Sequence, residues 1–383
     1  MPERRTENLS PGSEPPAKAS IAGRDTKVSE PGLVAPEIRD LDKLARDLES
    51  WLALRLPGAK GIKVSDLSYP RGAGMSHETI LFDVDWEEGG QAKRRGMVVR
   101  IKPMRRQVFL DDMFDNQYRL IQLMHRTGAV PVAEPLWFEP DPSLLGAPFF
   151  VMAKVHGRVA VTFPPYSKVG WLFESKPADR RVLWEDSVRL LARIQTVPVS
   201  EAQFLNLPGD FAEGFDQEVD RWFRFMNWVD PKGERTFLRQ MFERLMAVKP
   251  ANRPEGITWG DARIGNMMVG DDYKVVAVMD WEQPSLGGAL QDLGWWLYTE
   301  RNQTVAQGLM PLEGMGTREE TLALWREVSG KSSEAIEWYE AFAAFKMECL
   351  SVRMVTSGTL SDEVLKRSPP GTNTERMLKA YTG

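Results

Sequence analysis

The run WGDARIGN, residues 259–266, sets one acid, Asp261, five positions before one amide, Asn266, with a glycine just before each. Gly, Asp and Asn are what turns are made of, so alone the run reads as a loop. A second acid, Asp280, closes KVVAVMD, an apolar run with the pattern of a buried strand. The preceding NMMVG reads as its hairpin partner, turning through Asp271-Asp272. That pairing gathers Asp261, Asn266 and Asp280 near one end of a single hairpin. Two carboxylates and an amide oxygen are hard ligands, suited to a Mg²⁺ ion that keeps several waters and bridges phosphates. An acid beside them is placed to orient a hydroxyl nucleophile. This is the layout of phosphoryl transfer, in which positioning and charge neutralisation supply most of the catalysis. The plainer alternative is a set of turn and cap residues without chemistry.

The elements that must position these residues follow from periodicity. Ile38, Leu41, Leu44, Leu48, Trp51 and Leu52 recur at helical spacing, predicting an amphipathic helix that ends near Pro57-Gly58. IKVSDLSY, ETILFDVDWE and KRRGMVVRIKP, the last two joined by Gly89-Gly90, predict a three-stranded antiparallel meander. FDNQYRLIQLMHRTG predicts a helix stopped by Gly128, and VAEPLWFE and PFFVMAKV two more strands. Beyond His156-Gly157 long helical patterns dominate, among them VLWEDSVRLLARIQ, EVDRWFRFM, RTFLRQMFERLM and EAIEWYEAFAAFKMECLSVRMV. The expected fold class is α+β in two lobes. Residues 1–35, poor in large apolar side chains, read as a disordered tail. Residues 36–155 form a small β-rich lobe with its leading helix, and 156–383 a larger helical lobe.

Composition bounds the function. A chain of 383 residues exceeds the size at which one core stops growing, and 42% hydrophobic with 27% charged residues is ordinary for a soluble protein. The net charge of −5 gives no electrostatic footprint for nucleic acid. With no apolar leader and no run of the roughly 18 apolar residues a span needs, no membrane association is expected and a cytoplasmic location is. The lone Cys349 rules out an intramolecular disulfide and reads as a free buried thiol. His77, His125 and His156 lie far apart without metal spacing, and His77 reads as solvent-facing. Neither a Gly-x-Ser-x-Gly nor a Walker sequence is present, against a serine hydrolase or a P-loop enzyme.

D-x-x-x-x-N followed by a strand-end Asp is how protein-kinase-like enzymes hold their base and metals. The finer wording, WGDARIGNMM then VAVMDWEQPSLGGALQDLGWW, resembles the aminoglycoside phosphotransferase family, nearest the branch of kinase domains attached to acyl-CoA dehydrogenases. The resemblance covers about residues 36–360. It implies a protein-kinase-like two-lobe fold and transfer of the γ-phosphate of ATP, with Mg²⁺, to a hydroxyl of a small molecule. Asp261 would be the base, with Asn266 and Asp280 the metal ligands. Arg263 would contact phosphate or substrate, or else form a surface ion pair. RGAGMSHETI would cap phosphates through backbone N–H groups around Gly72, Gly74 and Ser76, although such glycines suit any tight turn. Arg100 stands where kinases carry a phosphate-binding Lys, a structural ion pair being its other reading. Met152 and Lys154 would mark the connector whose backbone pairs with adenine.

Three departures accompany the resemblance. Gln117 replaces the helix Glu that pairs with the strand cation. It can hydrogen-bond Arg100 without neutralising it, so that either Asp111, Asp112 or Asp115 substitutes or the cation is held more loosely. Trp259 replaces a common His, removing one polar brace, and Gly288 replaces a frequent acid. Gln117 and Trp259 motivate the alternative of a nucleotide-binding pseudokinase acting as an interaction module; nucleotidyl transfer on the same fold is a third reading. Asp292, ahead of LGWWLY, reads as a structural acid bracing the catalytic loop or capping a helix.

The acceptor is less legible. The family includes kinases of aminoglycosides, choline-like alcohols, amino-acid hydroxyls and, in the branch resembled most, hydroxyacyl thioesters. Between residues 201 and 230 seven acids face only Arg221 and Arg224, which would suit a cationic acceptor if the segment lined the cleft. Phe215, Trp222, Phe223, Phe225 and Trp228 in the same stretch would suit an acyl chain. A hydroxyacyl-type metabolite is expected ahead of an aminoglycoside-like compound, and the oligomeric state is left open.

Overall fold

The computed structural model describes residues 39–70, 77–103, 108–207 and 213–382, all within the unit Val34–Gly383. The tail over 1–35 and the turn residues Gly72, Gly74 and Ser76 lie outside the described residues.

Helix α1 (Leu41–Arg55) starts at Asp40, whose carboxylate accepts the Lys43 N–H as an N-cap. It precedes β1 (Lys60–Ser68), β2 (Glu78–Glu88) and β3 (Gln91–Ile101), the expected meander. After α2 (Phe114–Thr127), β4 (Pro135–Glu139) and β5 (Phe149–Ala153) complete a five-stranded sheet of order β1-β2-β3-β5-β4, antiparallel at every pairing. Strand alternation decides what each face holds. Phe82, Val84, Met97 and Val99 share one core with Leu48 and Trp51 of α1. Arg100, out of phase with Val99 and Ile101, points to the opposite face. A one-residue slip of β3 would turn the guanidinium into the apolar core, so burial itself enforces the register.

The chain then leaves the sheet. Its short β6 (Arg158–Val159) pairs with β7 (Met267–Val269), which pairs with β8 (Val275–Val278). Between β6 and β7 run α3 (Trp171–Glu174), α4 (Pro177–Ile194), α5 (Gly214–Val229) and α6 (Thr236–Ala247). After β8 come α7 (Leu290–Gln303), α8 (Arg318–Ser329), α9 (Ile336–Thr356), α10 (Glu363–Arg367) and α11 (Thr372–Thr382). Helix α9 is the axis of this half and packs against α5, α6, α7, α10 and α11. It is apolar nearly all round, burying Trp338, Phe342 and Phe345 together with the free Cys349. Helix α8 begins in a capping box, Thr317 with Glu320, a start signal readable from the sequence and not used above. No helix among the described residues is long and apolar enough to cross a membrane.

Leu48 and Leu54 lie on the same helix with opposite fates, fully buried and 79% exposed. Leu48→Ala should lower unfolding stability by about 2–5 kcal/mol, through lost transfer energy and the cavity left behind. Leu54→Ala should stay within about 0.5 kcal/mol. Urea unfolding of the two variants beside the parent chain checks the contrast.

Candidate active site

The two glycines of the 259–266 run have separate reasons. Gly260 sits at φ 106°, where an L side chain is strained, and a Cβ there would run into the Gln283 backbone. At Gly265 a Cβ would fall within 3 Å of the Arg263 guanidinium and of Thr162 Oγ1. The tight loop brings its polar groups together. Asn266 Nδ2 donates to Asp261 Oδ2 at 2.6 Å and to the Asp261 carbonyl at 3.0 Å. Arg263 Nε donates to the same Oδ2 at 2.9 Å, and its Nη1 reaches Thr162 Oγ1 at 2.7 Å. Trp295 Nε1 donates to Asp261 Oδ1 at 2.8 Å. With its NH₂ turned to Asp261, Asn266 presents its amide oxygen elsewhere, and no hydrogen bond to that oxygen is formed among the described residues.

The loop is held from behind. The Asp292 carboxylate accepts the backbone N–H groups of Trp259 and Gly260 at 2.6 and 2.9 Å. It is the structural acid expected, and burial pushes its carboxyl up to about 6. Trp259 keeps the brace its type was expected to lose. Its indole N–H donates to the Met279 carbonyl at 2.8 Å, tying the loop to the residue before Asp280. The expected hairpin forms, with Lys274 N donating to Asp272 Oδ1 in the turn, but β8 stops at Val278 instead of reaching Asp280. Met279 N still bonds the Asn266 carbonyl, and Asp280 then swings out at φ 61°, a region that Asp tolerates better than most residues.

Asp280 meets Arg100 there. Both terminal nitrogens of Arg100 lie 3.3–3.4 Å from Asp280 Oδ1. The acids expected to neutralise Arg100 are engaged otherwise: Asp111 with Arg224 and Arg221, Asp112 with Lys102. Nor does Gln117 reach it. Its side chain is fully buried in α2, and neither amide atom has a partner among the described residues. Arg100 Nε is likewise buried without one. His77, expected in solvent, is packed between Phe114 and this cluster. Burial, then Arg100, holds its imidazole down to about 3, so it is neutral and Nδ1 accepts from Arg100 at 3.3 Å. The 3.3 Å approach of Glu282 Oε2 to the same nitrogen is therefore not an ion pair. Burial, then the neighbouring Glu282, pushes the Asp280 carboxyl up to about 6, with Arg100 pulling the other way. Glu282, two residues beyond Asp280, is an acid of this cluster that the motif reading passed over.

Lys154 and Met152 stand differently from the expectation. Met152 lies inside β5, between Val98 of β3 and Pro135 of β4. The Lys154 backbone N–H donates to the Gly96 carbonyl and its ammonium to Asp83 at 3.0 Å, so neither is free for a base.

A cavity of about 410 Å³ opens in front of Asp261, Arg263 and Asp280. One wall is α7, through Trp295, Thr299, Glu300 and Gln303; the other is the apolar face of α9, Met347, Leu350 and Met354. Glu300 is hydrogen-bonded by the Tyr166 hydroxyl, and burial pushes its carboxyl up to about 7. Among the described residues of the 201–230 segment only Trp222 lines this cavity. Five of the segment's seven acids are paired with cations: Glu201 with Arg126, Asp216 with Lys249 and Arg253, Asp220 with Arg224, Asp230 with Arg235, Glu218 with buried Lys346.

Comparison with known proteins agrees with this architecture. The chain is 25% identical over 295 residues to the probable acyl-CoA dehydrogenase IBR3 of Arabidopsis thaliana, covering 72% of this chain and 34% of that protein. It is 25% identical over 315 residues to human acyl-CoA dehydrogenase family member 11, covering 79% and 38%. The chain thus spans little more than a third of the length of these curated relatives. Among solved structures, a Ralstonia eutropha protein provisionally assigned to the aminoglycoside phosphotransferases superposes with a TM-score of 0.64 at 23% identity, over 87% of this chain and 98% of that one. Choline kinase LicA of Streptococcus pneumoniae gives 0.52 at 12%, over 90% and 100%. The fold is the protein-kinase-like two-lobe α+β fold. A phosphotransferase enzyme (APH) family model matches residues 82–329, and the chain belongs to that family.

Proposed function

We propose that this phosphotransferase moves the γ-phosphate of ATP to a hydroxyl of a small molecule, with Mg²⁺. The observation that carries the reading is the convergence of Asp261, hydrogen-bonded by Asn266 Nδ2, and the half-buried Asp280 on one cavity. Among the described residues no three acid, His or Cys side chains are grouped as a metal cage. A two-ligand site completed by water and phosphate is what Mg²⁺ takes. Bound there, the ion would neutralise charge developing on the phosphates. Arg100, with Nε unpartnered and its terminal nitrogens on Asp280, is suited to hold phosphate oxygens bidentately. Asp261 accepts or orients the acceptor hydroxyl proton as the O–P bond forms and the bond to ADP breaks. Arg263, anchored on Asp261 and Thr162, steadies the carboxylate and faces the acceptor. The brace retained by Trp259 favours an active enzyme over the pseudokinase reading.

For the acceptor, the features favour a hydroxyacyl-type metabolite over an aminoglycoside-like cation. The α9 wall is apolar, five acids of the 201–230 segment are paired with cations, and burial raises the Glu300 carboxyl to about 7, so it carries only part of its charge at neutrality. Such a chain would lie along Met347, Leu350 and Met354, whose eight-residue stretch rises about 10 Å.

Asp261→Asn should lower turnover by about 10²–10⁴-fold while MgATP still raises the melting temperature; undiminished ADP release would remove the assigned role. MgATP at about 100 times its Kd should add about 2.7 kcal/mol to the parent chain, and Asp280→Asn should lose the magnesium-dependent part. A proton competes with the cation for Asp280, so that increment should shrink as pH falls from about 7.5 through 6, read by melts at matched ionic strength. ADP release with hydroxyacyl thioesters against aminoglycosides separates the acceptor classes.

A further inference from the structure

The first turn of α7 touches the catalytic loop twice. Asp292 holds its backbone, and Trp295, three residues on and thus on the same helix face, holds the Asp261 side chain. Trp295 is only 4% exposed. Behind its ring, at 5.6 Å from the centroid, lies the ammonium of Lys346 on α9, itself 3% exposed. Lys346 sits equally close to Trp222 and Phe342, at 5.5 and 5.2 Å, and donates to Gln291 Oε1 at 3.2 Å and Glu218 Oε1 at 3.4 Å. A desolvated ammonium over an indole face is attracted by the ring quadrupole and draws electron density toward itself. Both effects hold the ring and sharpen its N–H as a donor.

We infer that Trp295, backed by Lys346, is a positioning residue for phosphoryl transfer, whose indole N–H fixes the plane of the Asp261 carboxylate. This rests on the reading of Asp261 as the residue that orients the acceptor hydroxyl. The need for such an anchor is geometric. The terminal torsion of Asp is broad and nearly two-fold, so bonds to both oxygens confine the carboxylate plane more narrowly than bonds to one. Arg263 and Asn266 both bond Oδ2, and among the described residues Trp295 alone holds Oδ1. Removing it frees the carboxylate to turn and dilutes the reactive geometry, with no effect on the nucleotide.

The test is Trp295→Phe in the full chain, which deletes the N–H and keeps an aromatic face toward Lys346. With a short-chain hydroxyacyl thioester as acceptor, kcat should fall about 10–100-fold, the loss of one hydrogen bond to a charged group, while KM for MgATP and the MgATP melting increment stay within about two-fold. Indole ¹⁵N–¹H spectra supply a readout independent of turnover. Of the thirteen tryptophan resonances, the one missing in Trp295→Phe should shift in Asp261→Asn. If the Phe variant is too unstable, Trp295→His keeps a ring N–H in a smaller side chain and should recover part of kcat relative to Phe. An unchanged kcat, a loss shared by KM for MgATP, or an indole resonance indifferent to Asp261→Asn would each overturn the inference. A parent chain that turns over no acceptor, yet whose Trp295 resonance responds to Asp261→Asn, would sink the phosphotransfer reading and leave the anchor standing.

Discussion

Asp292 accepts the backbone N–H groups of Trp259 and Gly260 from inside the helical lobe, and these two bonds let a loop of small polar residues hold one conformation. Buried amides left without acceptors would cost about 1–3 kcal/mol each. Ionising a carboxyl at such depth is itself unfavourable, as its rise to about 6 records, and the two N–H groups, with the more distant Lys346 charge, offset that cost. A neutral side chain of similar size could not accept both bonds in this geometry. The acid is therefore structural and still decides where Asp261 stands.

From this anchor the site is built by close approach. Gly260 lets the loop pass against Gln283, and Gly265 leaves room for the Arg263–Thr162 contact. The Trp259 indole then fastens the loop to Met279, so Asp261 and Asp280 are referred to the same short hairpin. The sheet contributes a single group, Arg100, delivered by register. Because one face of β3 is sealed under α1, its phase is fixed by apolar burial far from any chemistry.

Much of this was legible in the sequence, for identifiable reasons. Asp261, Asn266 and Asp280 lie within one local hairpin, so spacing alone brings them together. The strands and α1 announce themselves by period, and Gly128 by its left-handed φ of 65°. What escaped depends on partners far along the chain. Trp295 reaches Asp261 across 34 positions and Lys346 reaches Glu218 across 128, distances at which no periodicity carries information. His77 follows a polar turn and so reads as exposed, yet Phe114 and Arg100 close over it. The acids of the 201–230 segment read as an open negative face because most of the cations that pair with them lie outside it: Arg126 on α2, Arg235 just before α6, Lys249 and Arg253 in the loop after α6, and Lys346 on α9. Two-residue β6 is too short for any pattern.

The charges at the centre leave Arg100 and Asp280 incompletely matched to each other. Arg100 pairs with Asp280 at 3.3–3.4 Å, long for an ion pair, with its Nε buried and unpartnered. Asp280 titrates near 6, so its charge is incompletely balanced by that one guanidinium and opposed by Glu282. Each partner is thus under-coordinated for the other while suited to a different ligand: the carboxylate to a divalent cation, the guanidinium to phosphate oxygens. On the proposed reading a nucleotide with its metal would bring both at once, and exchanging one loosely matched internal pair for two external ones would give differential binding free energy without moving the loop, which Asp292 keeps in place.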